Sequence, residues 1–83
     1  MPPVRADSAN RVVAVNAALD LATARAVREA VLQMADGVRI DLHDARDIDD
    51  SAIFYLVTTL RLADRRFTIQ GLSWLHARLL EYF

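Results

Sequence analysis

The 83-residue sequence contains no cysteine, which removes disulfides and thiolate metal sites from consideration. Glycine is scarce as well. Only Gly37 and Gly71 are present, and neither lies in a glycine-rich loop whose amides could cradle a phosphate. A nucleophile elbow and an oxyanion loop are missing for the same reason. Charge of one sign is not in excess: ten basic residues against eleven acidic ones leave a net charge of −1. That balance argues against a nucleic-acid or anionic-membrane surface built on net basicity. No basic segment runs into an apolar one, and no apolar stretch approaches the roughly 18 residues that a membrane span requires. A soluble, cytoplasmic, single domain is expected.

The hydrophobic share, 54%, is somewhat high for a soluble domain. A chain this short buries a modest fraction of its surface, so the excess implies a dense core, an apolar interface, or both.

The most informative stretch is VRIDLHDARDIDDSAI at residues 38–53. Val38, Ile40 and Leu42 alternate with Arg39 and Asp41, the period of a strand. An acidic loop over residues 44–50 follows and runs into a helix near Ser51. Exposed polar groups at the carboxyl end of a sheet are where open α/β folds place their binding sites.

Elsewhere the pattern is regular. Met1, Pro2 and Pro3 are expected to form a flexible terminus. Residues 4–6 suit an antiparallel edge strand, residues 8–10 a turn, and residues 11–16 a strand. A helix over 19–35, starting at Leu21 or shortly after, aligns Val27, Ala30, Val31 and Met34 on one stripe. Asp20 and Thr23 are both N-cap candidates, and Gly37 stands where a left-handed C-cap is usual. The second helix, 51–64, buries Ile53, Leu56, Val57 and Leu60, with Asp49 or Asp50 as its cap. Arg65 and Arg66 connect it to a strand at 67–70. Gly71, Leu72 and Ser73 then turn the chain into a last helix, 74–83, capped by Ser73 and presenting Leu75, Leu79 and Tyr82 or Phe83 on one face. The order β(β)αβαβα predicts an α/β domain over residues 4–83, with a small mixed, mostly parallel sheet packed with helices.

Three blocks carry a resemblance. The run ALDLATA at 18–24 is similar to the sequence G-E-L-D-L-A-T-A that opens the first helix of STAS domains. Residues 38–52 align without a gap on the strand–loop–helix pattern V-V-L-D-L-S-G-V-T-F-I-D-S-S-G of that family. Gly71, Leu72 and Ser73, followed by Arg78, Leu79 and Leu80, resemble its last helix start. The chain therefore resembles a STAS domain, the fold shared by bacterial anti-sigma-factor antagonists and the cytoplasmic tails of sulfate transporters. The resemblance implies a non-catalytic protein-interaction module; the residues themselves point to no cofactor. Its partner would be an anti-sigma factor, a serine-kinase-like ATPase of the histidine-kinase type. The alternative it implies is a small regulatory subunit docking on the ATPase of an ABC transporter of the lipid type.

On that resemblance Asp49 takes the place of the family's aspartate, and Asp50 falls where a serine or threonine is phosphorylated. Ser51 replaces the following small residue, Ala52 the glycine and Ile53 the leucine. The partner-binding or switch set is then Asp49, Asp50, Ser51, Ala52, Phe54 and Tyr55. Asp50 is a departure. It cannot accept a phosphate from a serine kinase, and it carries one charge where a phosphoserine carries about 1.5 to 2. Phe54 is another departure, on a surface often built from small residues.

Three readings of Asp49, Asp50 and Ser51 compete. They can simply cap the helix. Asp50 can be a permanently charged switch position. Or Ser51 can itself be a phosphorylation site, its phosphate meeting free amides at the helix start, although Asp47, Asp49 and Asp50 oppose a further dianion there. The charged switch ranks above modification of Ser51.

The acids at 41, 44, 47, 49 and 50, with His43, suggest an oxygen-rich cation site. Their spacing lacks the glycine and glutamate of an EF-hand loop, so solvated loop acids are the better reading. Ser51, His43 and an aspartate have the residue types of a hydrolytic site, but the surrounding motifs are missing, and His76 suits a surface or boundary position. Phe54, Tyr55 and Trp74 are core or contact aromatics. Phe54 or Tyr55, if exposed beside Asp50 and Ser51, would suit an interface anchor rimmed by charge.

Overall fold

The computed structural model describes residues 2–72 of the chain. Six elements follow in order: β1 (Val4–Asp7), β2 (Val12–Val15), α1 (Leu21–Leu32), β3 (Val38–Asp41), α2 (Asp50–Leu62) and β4 (Phe67–Gln70). Their strands form one sheet in the order β1-β2-β3-β4, with β1 antiparallel to β2 and the other two junctions parallel. This is a small α/β fold with a mixed sheet. The expected last helix, with Ser73, Trp74 and His76, lies outside the described residues.

The hairpin between β1 and β2 is closed by Asp7, whose carboxylate accepts the Asn10 backbone N–H at 3.2 Å and its side-chain amide at 2.8 Å. Pairing continues beyond β1, because the Asn16 N–H donates to the Pro3 carbonyl at 3.0 Å. Pro3 thus shares a backbone bond with the residue that follows β2.

Side-chain alternation decides which face is covered. Val13, Val15, Val38 and Ile40 are buried, whereas Val12 and Ala14 are half-buried and Arg39 is exposed. Strands in sequential order, joined by parallel crossovers of one hand, place both helices on the same side. There α1 contributes Ala24, Val27 and Val31, and α2 contributes Ala52, Ile53, Leu56, Val57 and Leu60. Among the described residues no polar side chain is buried. Each fully buried aliphatic side chain stabilises the fold by about 1.5–3 kcal/mol, so this single cluster supplies the main driving force.

Of the two cap candidates at the start of α1, Asp20 does the work: its Oδ1 accepts the Thr23 N–H at 2.8 Å. At the other end the helix stops at Leu32, short of the expected Ala35, with Gln33 as a C-cap in right-handed geometry. Gly37 does take a left-handed conformation, φ 86°, but it turns the chain into β3 rather than capping α1. The carbonyls near the end of α1 are taken from a distance. Arg65 donates from Nη1 to the Met34 carbonyl at 2.9 Å and from Nη2 to that of Leu32 at 3.1 Å.

Candidate functional site

β3 delivers the chain to the carboxyl end of the sheet, and the loop at 42–49 begins with a clasp. Asp41 Oδ1 accepts the His43 backbone N–H at 3.0 Å and lies 2.6 Å from the His43 ring Nδ1. The His43 amide first, and then its ring, hold the Asp41 carboxyl below its ordinary value. Gly71, at the exit of β4, passes close by. A Cβ built on it would lie 2.4 Å from the His43 nitrogen and 2.8 Å from the Leu42 carbonyl carbon. Only glycine fits this crossing, and its φ of 85° is left-handed as well.

Backbone bonds fix the rest of the loop to the segment before α1. The Arg46 N–H donates to the Ala17 carbonyl at 3.2 Å, the Leu19 N–H to that of Asp47 at 2.6 Å, and the Asp49 N–H to that of Leu19 at 3.0 Å. Leu19 and Ile48 form an isolated parallel bridge, and Leu19 is fully buried. The loop before α2 is therefore held like a short strand.

That backbone presents the start of α2. Asp49 is the N-cap: its Oδ1 accepts the Ser51 N–H at 3.0 Å and the Ser51 hydroxyl at 2.8 Å. Asp50 occupies the first turn, where a carboxylate is favoured by the helix dipole. Asp49, Asp50 and Ser51 are exposed. Phe54, one turn further, is 49% exposed, so an aromatic ring lies on the surface near the acids.

The remaining members of the expected set face inward. Ala52 is fully buried and belongs to the core; it offers a partner no surface. Tyr55 is half-buried and packs against that core. Of the expected contact residues, Asp49, Asp50, Ser51 and Phe54 are therefore brought together at the surface.

No model of a known protein family, no curated protein and no solved structure matches the chain.

The chemistry of the site rests on its own residues. Ser51 pairs with Asp49 and His43 pairs with Asp41, so the serine, histidine and aspartates form separate pairs rather than one relay. Among the described residues no group of three His, Cys, Asp or Glu side chains could hold a metal ion, and none of the helices there is long and apolar enough to cross a membrane. The hydrogen-bonded loop thus presents a charged, hydroxyl-bearing and aromatic surface at the start of α2. The Leu19–Ile48 bridge and the Asp41–His43 clasp escape sequence reasoning. The clasp leaves a faint local signal, an aspartate two residues before a turn amide; the bridge leaves none.

Proposed function

We propose that the chain is a STAS-like, non-catalytic recognition module that binds an ATPase partner through the loop before α2 and the first turns of that helix. The observation that carries this reading is the exposure of Asp49, Asp50, Ser51 and Phe54 at one helix start, on backbone anchored by Leu19. Acidic residues there attract a basic partner surface, and Phe54 supplies the apolar contact that a charged rim alone lacks. The first partner is a histidine-kinase-type anti-sigma ATPase. In that complex Asp50 acts as a fixed negative charge where the antagonists it resembles switch theirs, so affinity is set once rather than regulated at this position.

One observation favours a second reading. Asp50 offers no hydroxyl, so association without modification is the simpler chemistry, and that is the mode of a small subunit docked on a transporter ATPase. Purification of the native protein with its bound proteins separates the two. An anti-sigma ATPase supports the first reading and transporter subunits the second. In either case the Asp50→Arg and Phe54→Ala variants, folded as judged by circular dichroism, should lose the ATPase. Retention by both variants contradicts the site.

A further inference from the structure

Among the described residues, the helices cover one face of the sheet. The other carries a charge pattern with a symmetry of its own. β1 reads Val-Arg-Ala-Asp and β3 reads Val-Arg-Ile-Asp. β1 is antiparallel to β2 while β3 is parallel to it, so these similar strands run in opposite directions on either side of β2. The register places Arg5 beside Ala14 and Asp41 on the other side of Ala14; Asp7 stands beside Val12, with Arg39 on its other side. β4 adds Thr68 next to Arg39 and Gln70 next to Asp41.

Two rows result, about 7 Å apart along the strands. One reads Arg5, Ala14, Asp41, Gln70 and the other Asp7, Val12, Arg39, Thr68. Arg5, Asp7, Arg39, Thr68 and Gln70 are exposed and the middle strand is small and half-buried. A shallow depression of about 640 Å³ lies over this face. Asp7 is engaged by Asn10, and Asp41 uses only Oδ1 for His43. Among the described residues no hydrogen bond or ion pair engages the guanidinium of Arg5 or Arg39.

We propose that this open sheet face binds a second copy of the chain, face to face, about a two-fold axis lying across the strands. That operation exchanges the two rows and keeps every strand over its own counterpart. Arg5 then meets Asp7 of the second copy, Arg39 meets its Asp41, Val12 meets its Ala14 and Thr68 meets its Gln70. Each contact is complementary in charge, in volume or in hydrogen bonding, and each occurs twice, as an isologous interface requires. An anion is disfavoured as the occupant, because the depression is lined by three arginines, Arg5, Arg11 and Arg39, against Asp7, Asp41 and Asp44. Four strands of four residues spaced about 4.8 Å apart offer a footprint of only a few hundred Å², below the roughly 800 Å² per partner of a standard interface, so the dimer is weak and depends on its charges. It leaves α2 untouched and presents the recognition site twice.

Sedimentation velocity of the full chain across a concentration series tests this. Reversible dimerisation is expected at low salt, weakened about tenfold or more in high salt as the ion pairs are screened. Arg5→Asp sets two carboxylates against each other across the axis, and Arg39→Asp does the same against Asp41; each should abolish dimerisation. The double variant Arg5→Asp/Asp7→Arg exchanges the pair and should restore it; should its hairpin fail to fold, the single reversals still decide. A chain that stays monomeric at millimolar concentration in low salt overturns the proposal. So does a dimer indifferent to salt and to both reversals, which would place the contact on another face.

Discussion

The Ser51 hydroxyl donates to the same Asp49 oxygen that caps the helix, 2.8 Å away. The capping carboxylate thus also orients the one hydroxyl at the candidate site. One oxygen therefore serves both the cap and the hydroxyl, and variants can separate the two. Asp49→Ala should lose about 1 kcal/mol of stability, the usual cost of a lost cap, while Asp49→Asn keeps most of it. Ser51→Ala leaves the Ser51 N–H bonded and should change stability by less than about 0.5 kcal/mol. Urea denaturation of the three variants measures this.

Gly71 constrains the loop from the opposite strand. Alanine there brings a Cβ to 2.4 Å from the His43 nitrogen and forces a left-handed φ on a residue with a side chain. Since the obstacle is backbone, it has little room to move. Gly71→Ala should cost about 2 kcal/mol or more, and faster amide exchange at Leu42 and His43 should accompany it.

Arg65 holds the end of α1 from across the fold. Removing it leaves the Leu32 and Met34 carbonyls without a charged donor, so Arg65→Ala should lose about 1.5–3 kcal/mol, the range for hydrogen bonds to charged groups. Arg65→Lys should recover part of that, because an ammonium cannot reproduce the two-pronged geometry. Thermal melts of both variants check the order wild type, lysine, alanine.

These contacts mark what the sequence could and could not disclose. β3 and α2 were legible because Val38, Ile40 and Leu42 keep period two and Ile53, Leu56, Val57 and Leu60 keep the helical period, and the start of α2 was legible because Asp49 and Ser51 are strong capping types. The end of α1 was not. Met34 is buried and extends the apolar stripe, yet it lies beyond the helix, since burial does not require helical backbone. Arg65 read as a polar connection because its partners are more than thirty positions away. Ala52 read as a contact residue from its place in the motif, and only the packing of α2 on the sheet assigns it to the core. The charge pattern on the open face needed both the shared Val-Arg-x-Asp strands and their opposed directions, and only the topology supplies the second.

Acidification should destabilise the fold in a defined window. Asp7, Asp20 and Asp41 are all held below the ordinary value of 3.8. The causes are respectively the Asn10 side-chain amide and then its N–H, the Thr23 N–H and then its hydroxyl, and the His43 N–H and then its ring. A carboxyl with a depressed folded value takes up its proton first in the unfolded chain, so stability rises with pH across the window. The contribution is complete above 3.8 and is lost as pH falls through the lower folded values. Urea midpoints should be level at mildly acidic pH and fall below it, and Asp20→Asn should flatten the fall.

The proposed recognition surface is tested most directly by amide hydrogen exchange on the chain alone and in complex with any ATPase found to co-purify with it. Binding through the start of α2 should slow exchange in the loop at 44–49 and at Asp50, Ser51 and Phe54, and the Asp50→Arg variant should remove both the protection and the binding. Protection confined to other segments, with Asp50→Arg binding as tightly as the native chain, would contradict it.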